Sequence, residues 1–164
     1  MILGNPAQFA VMFEIVNEWN IDSSFNNGIL IFSVDWKVYP QNEIINATLN
    51  FEIPNLKECM SNICEDKQLF ELPKYEAFIK IYNLRFPEDW DVDEDYRFDI
   101  SPVAFSDNNC LIFAVSNGSM VRVLATSNLE YIKAESRYDL KNIEISEAYI
   151  TIEEWNEILL KLAI

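Results

Sequence analysis

Hydrophobic and polar positions along the chain follow two alternating periods. In 9-FAVMFEIV-16, Phe9, Val11, Phe13 and Ile15 recur at every second position, which predicts a strand with one apolar face. A second strand is expected at 28-GILIFSV-34, with Gly28 after Asn26-Asn27 marking a turn ahead of it. Asp35-Trp36 then leads into 37-KVYP-40, which reads as a hairpin with a turn pair less favourable than Asn-Gly. The period next lengthens. A helix is expected from Pro54, a residue suited to a first helical position, through 54-PNLKECMSNICE-65, with Leu56, Met60 and Ile63 near one face. Another is expected at 74-KYEAFIKIYNL-84, where Ala77, Phe78, Ile81 and Tyr82 share a face between Pro73 and Pro87.

The second half repeats the alternation. The runs 110-CLIFAVS-116 and 119-SMVRVLA-125 flank Asn117-Gly118, a strong hairpin signal because a type I′ turn needs positive φ at both central residues. A strand is expected at 143-IEISEAYI-150. The segment 151-TIEEWNEILLKLAI-164 then reads as a helix, opened by a capping box of Thr151 and Glu154 and striped by Trp155, Ile158, Leu159 and Leu162. There is no repeat and no linker. The expectation is one α+β domain over 1–164: a mainly antiparallel sheet of about 5–7 strands with two to three helices, and a C-terminal helix 152–163 packed on the sheet.

Composition adds a core and a charge. Half of the 164 residues are hydrophobic, enough to bury a core. Trp19, Trp36 and Trp155 are expected in it, with Trp90 the exception. No apolar run approaches the roughly 18 residues that span a bilayer, and the N-terminus lacks the basic start of a secretion signal. Cys59, Cys64 and Cys110 have no metal spacing and read as reduced, mostly buried thiols of a cytoplasmic protein. Twelve basic residues against 27 acidic give a net charge of −15. Such a field disfavours direct nucleic-acid binding and anionic membranes, and favours cations or basic proteins; acidity for solubility alone remains an alternative.

Several chemistries are excluded. The chain has no histidine, which removes Ser-His-Asp and Cys-His catalysis and histidine-ligated zinc. Three glycines and no phosphate-loop motif argue against the common nucleotide-dependent designs. No enzyme activity and no cofactor are expected.

One dense knot of charge stands out. In 87-PEDWDVDEDYRFD-99 seven of thirteen residues are acidic, in an expected surface loop that leads into a strand near Tyr96. Asp89, Asp91 and Asp93 match the opening of an EF-hand loop, but its restrictive sixth and twelfth positions hold Glu94 and Ile100 instead of Gly and Glu. No metal ligand set is assigned. Three readings stay open: an idle solvated loop, an acid cluster that binds divalent ions or serves a carboxylate-dependent enzyme, and a surface for a basic partner made by Asp89, Trp90, Asp91, Asp93, Glu94 and Asp95. Trp90 either anchors that partner or folds back to pin the loop.

The stretches 3-LGNPAQFAVMFEIVNEW-19, 26-NNGILIFSVDWKVYP-40 and 43-EIINATLN-50 carry a resemblance. The Gly4-Asn5-Pro6 start, the aromatic hairpin ending in Tyr39-Pro40 and the Asn46-to-Asn50 segment resemble the immunity proteins of bacterial polymorphic toxin and contact-dependent growth inhibition systems, and in particular immunity family 42. Similar proteins often carry Asn-Gly where Asp35-Trp36 stands here. The motifs are structural in character and mark no functional site. The resemblance implies a non-catalytic cytoplasmic inhibitor that binds one cognate toxin domain. Many such toxins are nucleases, and nucleases tend to be basic because they hold phosphates.

Overall fold

A computed structural model describes residues 1–21 and 24–164. Its first sheet holds five strands: β1 (Ile2–Gly4), β2 (Phe9–Ile15), β3 (Asn27–Val34), β4 (Lys37–Tyr39) and β5 (Asn46–Thr48). The order is β1-β2-β3, and both β4 and β5 pair with the far side of β3, all antiparallel. Phe9, Val11 and Phe13 turn inward with Leu30, Phe32 and Val34, as the alternation requires. Ile15, at the strand end, is exposed instead.

Four helical segments separate this sheet from the next strands: α1 (Leu49–Ser61), α2 (Lys67–Glu71), α3 (Lys74–Arg85) and the single turn α4 (Val103–Ser106). The second sheet has the order β10-β7-β6, built from β6 (Leu111–Ser116), β7 (Met120–Thr126) and β10 (Ser146–Thr151). Between β7 and β10, β8 (Glu130–Ile132) and β9 (Arg137–Asp139) form a separate hairpin. The chain ends with α5 (Ile152–Lys161). The α+β class, the antiparallel pairing and the C-terminal helix on the sheet agree with the sequence reading. The added strands and helices are mostly three to five residues long, too short to leave a period in the sequence.

The second sheet is the middle layer. Ile112, Ala114, Val121, Val123 and Ile150 face the first sheet and α1 and α5, in one core with Phe9, Phe32, Ile53 and Trp155. Leu111, Phe113, Val115 and Leu124 face the other way, onto Phe78, Ile81 and Tyr82 of α3. Burial on both faces explains why β6 reads as an unbroken apolar run.

Several expectations are corrected. α1 starts at Leu49, so Pro54 lies inside the helix rather than at its start. An internal proline forfeits a backbone hydrogen bond, but here Leu49, Ile53, Leu56 and Met60 all lie buried along one stripe, and that burial outweighs it. Gly28 lies within β3, as its run predicts, and a side chain is excluded there because a Cβ would lie 2.1 Å from the Glu14 carbonyl oxygen. At the β6–β7 turn only Gly118 has positive φ; Asn117 Oδ1 accepts from the amides of Ser119 and Met120, so the side chain shapes a longer loop. No strand forms near Tyr96. Residues 98–100 close the outer edge of β6 through Ala114 N–H to Phe98 O and Ile100 N–H to Ile112 O, with a single bridge at Asp99.

β10 begins at Ser146, three residues later than its pattern. α5 ends at Lys161, and Leu162 completes its buried stripe from just beyond. Of the thiols only Cys110 is buried, which pushes its pKa up to about 12; Cys59 is exposed and Cys64 half-buried. Trp155 is core and donates its indole N–H to Met60 O at 2.9 Å. Trp19 and Trp36 are not core, and Trp36 is 73% exposed. No described helix is long and apolar enough to cross a membrane.

Candidate functional site

The acidic stretch leaves the end of α3 and is tied back to it. The Asp95 amide donates to Leu84 O at 2.9 Å, which makes residues 85–95 an out-and-back excursion. Within it the Asp91 amide donates to Asp89 Oδ1 and the Val92 amide to Asp89 O, so Asp89 nucleates a tight turn beneath Trp90.

Arginines brace the base of this loop. Arg85, in the last turn of α3 where a cation suits the helix dipole, pairs with Glu94 and donates through Nε to Asp99 at 3.0 Å. Its guanidinium lies 3.7 Å from the centroid of the Tyr96 ring and 4.5 Å from that of Phe86. The Tyr96 hydroxyl donates to Glu94. That bond, together with Arg85, holds the Glu94 carboxyl below the usual carboxylate range. Arg97 grips both oxygens of Asp95 at 2.7–3.1 Å and lowers its pKa in the same way. From β9, Arg137 pairs with Glu88 and donates to Asn83 Oδ1 at 2.6 Å.

Part of the charge in the knot is therefore neutralised within the fold. Glu88, Glu94, Asp95 and Asp99 each have an arginine partner. Asp89, Asp91 and Asp93 have no ion-pair partner among the described residues and project at the exposed tip. Trp90 stands among them at 92% exposure, so it does not fold back onto the core. Among the described residues no three acidic or thiol side chains converge as a metal ligand set, and Ile100, where an EF-hand places its bidentate Glu, is core.

The hairpin β8–β9 supplies a second wall. Tyr131, Glu135, Ser136 and Arg137 face Trp90, Val92 and Asp93 across a cleft of about 810 Å³. Tyr131 stacks edge-on against Tyr138, which fixes its direction. The sequence reading missed this wall. Its signal was the pair of three-residue alternations Glu130-Tyr131-Ile132 and Arg137-Tyr138-Asp139 around a polar turn, too short to stand out.

Comparison with known proteins adds a decisive fact: a family model described as Immunity protein 42 matches residues 1–163. This chain belongs to the Immunity protein 42 family. Immunity proteins are inhibitors of toxins rather than enzymes, in agreement with the expectation of a non-catalytic chain. None of the curated proteins compared matches it. The crystal structure of CdiI from Burkholderia dolosa AUO158 is similar in fold, with a TM-score of 0.78 and 23% identity over 98% of this chain and 97% of that one.

The residues that carry the Immunity protein 42 resemblance serve the scaffold. Gly4 has φ +94°, and a Cβ on it would meet Phe9 O at 2.4 Å and the side chain of Ile158. Asn5 closes the following turn through its Oδ1 and the Ala7 amide. Asn50 Oδ1 accepts from the Asn26 amide at the start of α1. The hairpin turn has positive φ at both central residues, 51° at Asp35 and 65° at Trp36, as a type I′ turn requires. None of these family motifs lies in the acidic cleft.

Proposed function

We propose that this Immunity protein 42 family member binds one cognate toxin domain in the cytoplasm of the producing cell, within a polymorphic toxin or contact-dependent growth inhibition system. We infer that the toxin is basic, a nuclease, and that it docks on the acidic cleft. Asp89, Trp90, Asp91 and Asp93 form the contact tip, Glu94 and Asp95 shape it from below, and Tyr131 lies opposite. The observation that carries the reading is a Trp ring 92% exposed among three carboxylates without ion-pair partners. An exposed aromatic surrounded by charge is costly to leave in water and well suited to a hot spot. The net charge of −15 supports a cationic partner and faster encounter with it.

The test is co-purification with the product of the neighbouring upstream gene and protection of cells that express it. Absence of both a complex and protection would sink the reading. Charge reversal at Asp89, Asp91 and Asp93 is expected to weaken the complex and flatten its salt dependence; unchanged affinity would move the interface elsewhere.

A further inference from the structure

The second sheet has two edges, and only one is closed. On β6 the outward-facing groups of Ile112, Ala114 and Ser116 are met by the segments 98–101 and 64–66. On β10 the register with β7 turns Ser146, Ala148 and Ile150 toward β7 and Glu147 and Tyr149 away from it. Two contacts confirm that direction. The Thr151 amide, next in the outward series, donates to Glu154, and Tyr149 O accepts from Gln8 Nε2 at an exposed 3.3 Å. The amides of Glu147 and Tyr149 and the Glu147 carbonyl have no described partner. They open onto a cleft of about 580 Å³ walled by Lys74 and Tyr75 of α3 and by Asp35 and Lys37 of the β3–β4 hairpin.

Trp36 stands at the turn between those last two residues. The turn is locked in place, since the Asp35 amide donates to Gln8 O and the Trp36 amide to Pro6 O. The lock holds a bulky residue at φ 65°, a conformation suited to glycine, with its ring 73% exposed. Trp36 stacks on no other described aromatic ring. Strain held without an internal return points to function.

We propose that the open edge of β10 receives an extended strand of the toxin domain, hydrogen-bonded to Glu147 and Tyr149, with Trp36 packed against it. The proposal rests on the toxin-binding reading above and adds a second contact surface to it. Charge selects the occupant. Antiparallel pairing of two copies about this edge would bring two chains of charge −15 together. A strand from a basic domain meets no such repulsion. Strand addition of this kind takes affinity from main-chain bonds and specificity from alternate side chains.

Hydrogen exchange on the full chain, free and bound to the purified toxin domain from the neighbouring gene, tests the edge. The Glu147 and Tyr149 amides should exchange freely in the unbound protein and slow by about tenfold or more in the complex. Glu147→Pro removes an outward amide without touching the β7 ladder, and should weaken binding by about tenfold, well beyond the effect of Glu147→Ala, which loses the same Arg122 contact but keeps the amide. Trp36→Gly should raise the melting temperature and weaken binding by about tenfold. A complex in which both amides exchange as in the free protein overturns this proposal and leaves the acidic cleft standing. So does a complex whose affinity Glu147→Pro and Trp36→Gly leave unchanged. Failure to form any complex overturns the toxin-binding reading, and this proposal with it.

Discussion

The Tyr39 hydroxyl donates a 2.6 Å hydrogen bond to Ser146 Oγ in the interior, joining β4 of the first sheet to β10 of the second. Tyr39 is fully buried, and its phenol pKa rises to about 12 through that burial. Tyr39→Phe leaves the Ser146 hydroxyl without this partner and is expected to cost about 1–3 kcal/mol in chemical denaturation. Adding Ser146→Ala should recover part of the loss. The raised pKa also sets a sign: the unfolded phenol ionises first, so this contribution is complete below about pH 10 and fades as pH rises toward 12. A Tyr39→Phe protein that loses as much stability as the parent over that interval would contradict this.

Arg122 is 2% exposed on the α3 side of the second sheet. It donates through Nη1 to Phe70 O and Leu72 O at 2.7 Å and through Nη2 to Glu147 at 3.3 Å. The carbonyls belong to the end of α2, so one side chain ties that short helix to the sheet. Arg122→Ala should cost about 3–5 kcal/mol in thermal or urea unfolding, because it strips partners from buried carbonyls and opens a cavity.

Gly4→Ala combines positive φ with a 2.4 Å approach to Phe9 O. The expected loss of stability exceeds about 1 kcal/mol. A neutral result in a melting experiment would mean that β1 moves away from β2 without penalty.

At the acidic tip the expectation is opposite. Trp90→Ala should leave the melting temperature unchanged, since the ring is 92% exposed, and weaken toxin binding by about 2 kcal/mol or more by calorimetry.

Glu94 and Asp95 are both lowered, Glu94 first by the Tyr96 hydroxyl and Asp95 first by Arg97. A carboxyl with a depressed folded pKa adds stability above its unfolded value, near about pH 4, and loses it as pH falls through the folded one. The loop 87–99 should therefore loosen in acid ahead of the core. Side-chain carboxyl NMR titration checks this, with midpoints expected below those of unpaired surface carboxylates.

Local signals carried the long elements. The two-residue period of Phe9 to Phe13, the helical spacing of Ala77 to Tyr82 and the box of Thr151 and Glu154 are decided within a few residues, and each appears where its pattern placed it. The same locality misled at Pro54, where propensity marks a start but tertiary burial of Leu49 and Ile53 extends the helix past it. It misled at Trp36, which looks like core by composition. Its exposure follows from a turn fixed by the register of β3 and β4.

The acidic site shows the same division. By itself the sequence determined that residues 88–95 are dense in charge and that Trp90 lies among them. It did not determine which charges remain free. Arg85, Arg97 and Arg137 neutralise part of the knot, and Arg137 comes from a hairpin more than forty residues away. The cleft wall at Tyr131 and the open edge at Glu147 arise in the same way. Periods and caps are set by interactions within a turn or two of the chain, so the sequence determines them directly. The pairing of Glu88 with Arg137, the exposure of Trp36 and the closing of a sheet edge depend on segments distant in sequence that meet only when the two cores form on opposite faces of one sheet, so only the tertiary structure decides them.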